Sequence, residues 1–210
     1  MKKIIAVFLL LSALTGMLCS CTDYNVKVIG NYVVEESKTP TNYVRIVMKN
    51  GDAMLLELYP DAAPLTVEHF KGLVAEKYFD GITFHRVVKN FVIQGGDPDG
   101  DGLSNGDRPW LKGEFSANGF DNPIMHVRGV ISRARRGNDY DSASTQFFIV
   151  HQTPNPAYNS LDGNYAAFGM LLAGYDVLDK IAGVATDSRD KPIKDQTMAE
   201  VRFVNIVEGK

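Results

Sequence analysis

The residues between Phe84 and Asp97 have the types and spacing that could do chemistry. Arg86 lies in a stretch with the period-two alternation of a β-strand, which would place its side chain on the face of Phe84 and opposite His85. A partly buried guanidinium needs hydrogen-bond acceptors, and Gln94 is a candidate for orienting it. The alternative is an ordinary strand arginine whose charged end reaches the solvated rim of the sheet.

Other chemically reactive side chains are sparse. The chain's two cysteines, Cys19 and Cys21, lie near its N-terminus, so the remainder has no thiol for covalent catalysis or metal binding. The segment 97–102 begins like a calcium-binding loop, but Arg108 stands where the twelfth position needs a glutamate, which favours a polar surface loop. The four histidines are not spaced as metal ligands.

Three segments, in order, resemble the signature of cyclophilins. The first is Phe84–Asp97, with Phe-His-Arg followed at fixed spacing by Phe and by Gln-Gly-Gly-Asp. The second combines 129–134 with 142–149 (Ser-Ala-Ser-Thr-Gln-Phe-Phe-Ile), and the third is 161–169. The resemblance extends from about Tyr43 to about Val207. This resemblance favours a catalytic role for Arg86 over that of an ordinary solvated strand arginine.

The resemblance implies rotation about X-Pro peptide bonds, without a cofactor. It also implies that Arg86 is the catalytic donor and that Gln94 is its orienting neighbour, whereas His85 is structural. The remaining substrate-binding residues come from the same pattern: pocket walls Phe91, Val92, Phe148 and Leu161, an approach lined by Ala134 and Arg135, and Tyr165, where several members have histidine.

Some of these assignments have competing interpretations. For Phe91, Phe148 and Leu161 the competing explanation is plain core packing, and Arg135 could be a solvated loop charge rather than a substrate contact. Val92 replaces the methionine that is common at the pocket wall, which predicts a slightly wider pocket. Ser160 stands where many members have a tryptophan that contacts cyclosporin, and the single tryptophan is Trp110. We therefore expect weak cyclosporin binding.

The first 20 residues resemble an export signal. Lys2 and Lys3 precede the apolar run 4–14, which is about half of the ~20 residues that a membrane-spanning helix needs. The following Leu-Cys-Ser-Cys resembles a bacterial lipobox and predicts lipidation of Cys21; the alternative is a short membrane anchor or a buried helix. Because Thr22 rather than aspartate follows, we expect a lipid-anchored envelope protein, in the outer membrane facing the periplasm.

The charge balance argues against a nucleic-acid partner. Removal of residues 1–20 takes away two lysines and no acid, so the net charge of −3 becomes −5. The 190 residues that remain suit one domain with a proper core. We expect a monomer whose partners are proline-containing polypeptides and, through the lipid anchor only, the membrane.

The remaining pattern predicts a mainly β fold. Alternating runs on both sides of Asn50-Gly51 predict a β-hairpin. A helix is expected after Thr66 and another over 175–181. Further short strands are expected over 83–88, 91–94, 129–133, 146–150, 166–171 and 200–207.

Together these elements predict a cyclophilin-like closed eight-stranded antiparallel barrel capped by two α-helices. The predicted organisation is a signal peptide over 1–20, a lipidated N-terminus and tether over 21–42 that ends in a short edge strand, and an isomerase domain over 43–210.

Two other functions compete with catalysis. A cyclophilin-fold module could bind proline-containing segments without turnover, although retention of Arg86, Phe91, Gln94 and Phe148 argues against it. An envelope hydrolase is remote, because the folded part has no cysteine nucleophile.

Overall fold

The structure, a computed structural model, describes residues 26–154 and 160–209. The predicted signal peptide 1–20 and the lipidated Cys21 lie outside the described residues. The helices are α1 (Pro64–Ala75) and α2 (Tyr175–Ala182). The strands are β1 (Val26–Ile29), β2 (Tyr32–Glu36), β3 (Tyr43–Met48), β4 (Ala53–Leu58), β5 (Arg86–Val88), β6 (Val92–Gly95), β7 (Val130–Arg133), β8 (Phe147–Val150), β9 (Ala167–Ala173) and β10 (Met198–Glu208).

The hairpin predicted around Asn50-Gly51 is confirmed. Strands β3 and β4 pair antiparallel, with Val47 opposite Ala53. In the turn, the side-chain oxygen of Asn50 accepts a hydrogen bond from the backbone N–H of Asp52 at 3.0 Å. Gly51 has a φ of 89°, which a residue without a Cβ adopts at little cost.

The ten strands form one antiparallel sheet in the order β1-β2-β10-β3-β4-β9-β7-β8-β6-β5. The domain 43–210 has the eight strands predicted for it, β3 to β10, and β1 and β2 extend the sheet beyond it. The predicted closure is wrong, because no hydrogen-bonded ladder joins the edge strands within the described residues. On the outer edge of the short strand β5, the Val87 N–H donates to the carbonyl of Asp190 in a loop (2.8 Å). A single bridge, Thr83–Thr197, links the segments that precede β5 and β10.

The prediction of two helices is confirmed. Helix α1 begins at Pro64, whose fixed φ suits a first helical turn. Its free N-terminal amides are satisfied from a distant loop, because the buried carboxylate of Glu114 accepts hydrogen bonds from Leu65 N–H (3.0 Å) and Thr66 N–H (2.8 Å). No helix in the described part of the chain has the length and apolar character that crossing a membrane requires.

The core lies between the sheet and the helices. Phe70 on α1 packs against Phe79, Phe147 and Phe168, with ring centroids 5.1 to 5.8 Å apart. A smaller apolar cluster around Phe148 lies beside this core. This second cluster forms the base of the candidate site.

Residues 26–36, which the sequence assigns to the tether 21–42, form the β1–β2 hairpin. Strand β2 pairs with the C-terminal half of β10, where Glu36 lies opposite Val204. Ile29 and Val34 are buried in this hairpin. These two side chains belong to a cluster with Leu55, Ala173 and Val204, which come from β4, β9 and β10.

Candidate active site

Strands β5 and β6 place Arg86 directly opposite Gln94. The tight turn between them includes Asn90, which has a φ of 63°. Because cross-strand partners project from the same face of a sheet, Arg86 Nη1 donates to Gln94 Oε1 across 3.5 Å. The structure thus brings together the two residues that the sequence pairs, and the Arg86 side chain is 39% exposed.

The amide of Gln94 is oriented by a second glutamine that the sequence reasoning did not single out. Gln94 Nε2 donates to Gln146 Oε1 at 2.9 Å, and Gln146 Nε2 donates to the carbonyl of Ser104 at 2.9 Å. This relay fixes which end of the Gln94 amide is oxygen, so that an acceptor faces Arg86. Gln146 lies within the second resemblance motif, which is the signal that could have identified it.

An acidic residue from a distant loop also approaches Arg86. Asp190 Oδ2 lies 3.6 Å from Arg86 Nε. Asp190 has a φ of 63°, and its carbonyl accepts the Val87 N–H that anchors this loop to β5. With 104 positions between Asp190 and Arg86, no local pattern in the sequence indicates this contact.

The predicted site residues line one cavity of about 180 Å³ next to Arg86 and Gln94. The strand β6 supplies Val92, and the turn before it supplies Phe91. Other segments complete the wall with Ala134, Arg135, Phe148, Leu161 and Tyr165. The structure therefore places all nine predicted catalytic and substrate-binding residues around a single opening.

Phe148 is both a core residue and a wall of this cavity. Its side chain is 4% exposed, and Tyr165 meets it edge-on with ring centroids 5.6 Å apart. The ring of His126 stacks against Phe148 with centroids 6.0 Å apart and an angle of 22°. The core and pocket interpretations of Phe148 are thus compatible.

Behind Phe148 lies a buried polar chain that the sequence reasoning missed. His126 Nδ1 is 2.9 Å from Asp162 Oδ1, and His126 Nε2 is 3.0 Å from Ser132 Oγ. Burial lowers the pKa of His126, although Asp162 opposes this shift, so the ring is neutral at pH 7. Ser132 is fully buried. This Ser–His–Asp set therefore cannot reach a substrate, and it supports the Phe148 ring instead.

Arg135 is held over the cavity by aromatic rings. Its guanidinium carbon lies 4.6 Å from the ring centroid of Tyr165, 4.8 Å from that of Tyr140 and 5.4 Å from that of Phe115. Its Nε donates to the carbonyl of Asn164 at 2.9 Å. Stacking and hydrogen bonding fix this cation, unlike a freely solvated loop charge.

Two other patterns in the sequence do not form sites. The segment 102–106 (Gly-Leu-Ser-Asn-Gly) has the spacing of a hydrolase elbow, but it lies in a loop, and Ser104 Oγ accepts the Gly106 N–H at 3.0 Å. The carboxylate of Asp97 accepts three backbone N–H groups of its own loop. In the described part of the chain, no three His, Cys, Asp or Glu side chains are grouped to hold a metal ion.

Comparison with protein families gives a match over most of the chain. A family model described as cyclophilin type peptidyl-prolyl cis-trans isomerase/CLD matches residues 43–203. Peptidyl-prolyl cis-trans isomerase B of Bacillus subtilis is 40% identical over 130 residues, which are 62% of this chain and 83% of that protein.

The first curated relatives are longer proteins. A putative bifunctional phosphatase/peptidyl-prolyl cis-trans isomerase of Streptococcus pyogenes is 38% identical over 177 residues, which cover 72% of this chain and 36% of that protein. The chain spans 25% and 29% of two further relatives, both named peptidyl-prolyl cis-trans isomerase-like 2.

A solved structure has the same fold. The crystal structure of a Cryptosporidium parvum cyclophilin type peptidyl-prolyl cis-trans isomerase, determined in the presence of the dipeptide Ala-Pro, has a TM-score of 0.67 and 27% sequence identity. The match covers 77% of this chain and 98% of that structure.

Proposed function

The chain belongs to the cyclophilin-type peptidyl-prolyl cis-trans isomerases, and we propose that it catalyses cis/trans isomerisation of X-Pro bonds in polypeptides. The observation that carries this proposal is the Arg86 guanidinium, which lies beside Gln94 at the rim of a cavity whose wall includes the apolar side chains of Phe91, Phe148 and Leu161. The apolar side chains of the wall suit a proline ring. The Arg86 guanidinium lies beside them, where a hydrogen-bond donor to the proline nitrogen is needed.

The proposed mechanism follows from the chemistry of the amide bond. Rotation has a barrier of roughly 18–20 kcal/mol, because it breaks the resonance between the nitrogen lone pair and the carbonyl. In the twisted transition state this lone pair is localised on the proline nitrogen and can accept a hydrogen bond. A fixed donor at that atom therefore stabilises the transition state more than the ground state.

Arg86 supplies this donor. A guanidinium keeps its charge when partly desolvated, and its planar shape lets one acceptor fix its orientation. Gln94 provides that acceptor, and the hydrogen bonds through Gln146 to Ser104 hold Gln94 in place. The pocket wall formed by Phe91, Phe148 and Leu161 holds the proline ring while the preceding carbonyl rotates.

A coupled prolyl-isomerisation assay on the full chain in detergent tests this proposal. We expect the parent chain to accelerate exchange of an X-Pro peptide and Arg86→Ala to lose at least about tenfold in kcat/KM, or about 1.4 kcal/mol of transition-state stabilisation. Arg86→Lys tests the planar geometry at constant charge. A chain that binds the peptide but leaves its exchange rate unchanged would be a recognition module instead.

We propose further that the protein is lipidated at Cys21, lies in the bacterial outer membrane facing the periplasm, and assists the folding of envelope proteins. Lys2, Lys3 and the Leu-Cys-Ser-Cys sequence support the anchor. Metabolic labelling with an alkyne fatty acid in a bacterial host tests it. Cys21→Ser should abolish the label and Cys19→Ser should keep it; the reverse pattern would contradict the assignment.

Weak cyclosporin binding is part of the proposal. Ser160 is an exposed small residue, and Trp110 stacks under Arg136. An inhibition titration with cyclosporin should give an inhibition constant well above the nanomolar range. A nanomolar inhibition constant would overturn this expectation.

A further inference from the structure

A second cavity, of about 140 Å³, opens next to the proline cavity. The two cavities share the walls Gln94, Ala134 and Arg135. A polypeptide whose proline occupies the first cavity therefore has neighbouring residues at the mouth of the second. Trp110 and Arg136 also line this second cavity.

Arg136 is presented on an aromatic surface. Its guanidinium carbon lies 4.8 Å from the ring centroid of Trp110. Its backbone is fixed, because Arg136 N–H donates to Ser142 Oγ at 2.9 Å, and Ser142 Oγ donates to the carbonyl of Asp139 at 2.6 Å. Among the described residues, no carboxylate or other acceptor takes a hydrogen bond from this guanidinium. The donors of Arg136 are therefore oriented but unused.

The second cavity carries positive charge without compensation. Its lining includes Arg135 and Arg136 and no aspartate or glutamate. The acids of the adjoining loop, Asp139 and Asp141, do not line this cavity; their carboxylates accept the N–H groups of Asp141 and Gly113. This local charge is opposite to the net charge of −3 of the whole chain.

Cations also line the other side of the proline cavity. Arg189 and Lys191 line a neighbouring cavity with Arg86, whereas Asp101 is its one acidic lining residue among those described. The Lys191 ammonium group donates to the carbonyl of Gly100 at 3.1 Å. Cations therefore lie on both sides of the proline cavity, beside the acids Asp101 and Asp190, and they favour the binding of negatively charged segments.

We propose that the second cavity binds the carboxylate of an aspartate or glutamate side chain near the client's proline, with Arg136 on Trp110 as the specificity-determining receptor. This inference rests on the proposed isomerase function and names its substrate class, acidic proline-containing segments. A guanidinium held over an indole ring is preorganised for hydrogen bonding to a carboxylate, so little side-chain entropy is lost on binding.

A peptide series tests this specificity in the full chain in detergent. The peptides share one X-Pro sequence and carry a single Glu, Gln or Lys at each of three positions on either side. We expect kcat/KM for Glu to exceed that for Gln about fivefold at one or two positions. Raising the salt from 0.15 M to 1 M, which shortens the Debye length from about 8 Å to about 3 Å, should reduce this ratio.

Three variants assign the effect to Arg136. The Glu-to-Gln ratio should fall to about one in Arg136→Gln, and the Lys peptide should become the better substrate in Arg136→Glu. Trp110→Ala should lower the ratio partly, because the guanidinium loses its support. Lys38→Gln makes the same change in net charge at an exposed position of another loop and should keep the parent ratio.

The outcomes separate this inference from the proposed function. Acceleration of all peptides with no preference for Glu, or a preference that persists in Arg136→Gln, would overturn the carboxylate receptor and leave the isomerase function standing. Failure to accelerate any peptide would overturn the proposed function itself.

Discussion

Arg133 is a buried cation whose hydrogen-bond partners are both neutral. The side chain is 1% exposed, and its Nη1 donates to the carbonyl of Thr145 at 3.1 Å. Its Nη2 lies 3.1 Å from His69 Nδ1, and the guanidinium sits against the rings of Phe70 and Phe168. Burial lowers the pKa of Arg133 to about 9, which still leaves it charged at pH 7.

Replacing Arg133 by methionine should therefore cost little. Methionine fills most of the space and removes a desolvated charge, so we expect a free energy of unfolding within about 1 kcal/mol of the parent value, or above it. Arg133→Ala leaves a cavity and should lose about 2–5 kcal/mol. Urea denaturation measures both, and equal losses in the two variants would contradict the argument.

The histidines should make the protein less stable in mild acid. Burial lowers the pKa of His69 to about 4, with a further effect of the Arg133 and Arg108 cations, and burial also lowers the pKa values of His85 and His126. Below the unfolded value of about 6.5, the unfolded chain binds more protons than the folded chain. The free energy of unfolding should thus fall as the pH falls.

Chemical denaturation between pH 8 and pH 5 measures this effect. Carboxylates contribute mainly nearer their unfolded pKa of about 3.9, so a decline between pH 6.5 and pH 5 reports the histidines. His69→Gln, which keeps an acceptor for Arg133, should make the decline shallower. Constant stability over this range would show that the histidines are not desolvated as the structure indicates.

At the scale of elements, the backbone at the end of strand β6 determines the position of the site residue Gln94. Gly96 follows this strand two residues after Gln94 and has a φ of 89°, and a Cβ there would lie 2.5 Å from the carbonyl oxygen of Thr145. Gly51 has the same φ of 89°, but a Cβ there would meet nothing within 4 Å. Substitution of Gly51 therefore measures backbone strain alone, whereas substitution of Gly96 adds a steric conflict.

We expect Gly51→Ala to cost about 1–2 kcal/mol, which is the strain of a left-handed residue. Gly96→Ala should cost about 2–5 kcal/mol, because strain and overpacking add. It should also lower kcat/KM of the fraction that remains folded, since β6 carries Gln94. Equal losses in thermal denaturation would contradict the steric argument.

The elements that could be predicted from the sequence are those with a local cause. The hairpin around Asn50-Gly51 and the apolar face of α1 follow from turn chemistry and periodicity, and the resemblance motifs bring in the site residues. Asp190 and His126 depend on partners in other segments of the chain, which no local pattern specifies. The β1–β2 hairpin has a local signal that the sequence reasoning missed, because Gly30-Asn31 separates two β-like runs and Gly30 has a φ of 58°. The prediction of a closed barrel was wrong because it, too, depended on a distant segment: a loop at Asp190 hydrogen-bonds to the edge of β5.

At the scale of the whole molecule, the β1–β2 hairpin completes one side of the structure. Its residues Ile29 and Val34 are buried against a cluster that includes Leu55 and Val204. It also supplies Glu36, whose carboxylate lies 3.0 Å from the fully buried guanidinium of Arg45. The matched family model begins at residue 43, so this hairpin lies outside it.

Deleting residues 1–40 should therefore destabilise the protein while leaving catalysis intact. Loss of two buried aliphatic side chains alone removes about 3 kcal/mol or more, which lowers the Tm by roughly 6–12 °C. Isomerase activity measured well below the Tm should stay within about twofold of the parent activity. Glu36→Gln isolates the ion pair, and a deletion variant with the parent Tm would contradict the structural role.

The same hairpin determines how far the catalytic body can travel from a bilayer. A freely extended segment 21–42 would reach about 70 Å from a lipidated Cys21, whereas folding from Val26 onward leaves at most about 18 Å of chain. Under the proposed lipidation, the enzyme is confined to a thin layer at the membrane surface. Its encounters with polypeptides in that layer would become nearly two-dimensional, with contact at the surface rather than in bulk solution.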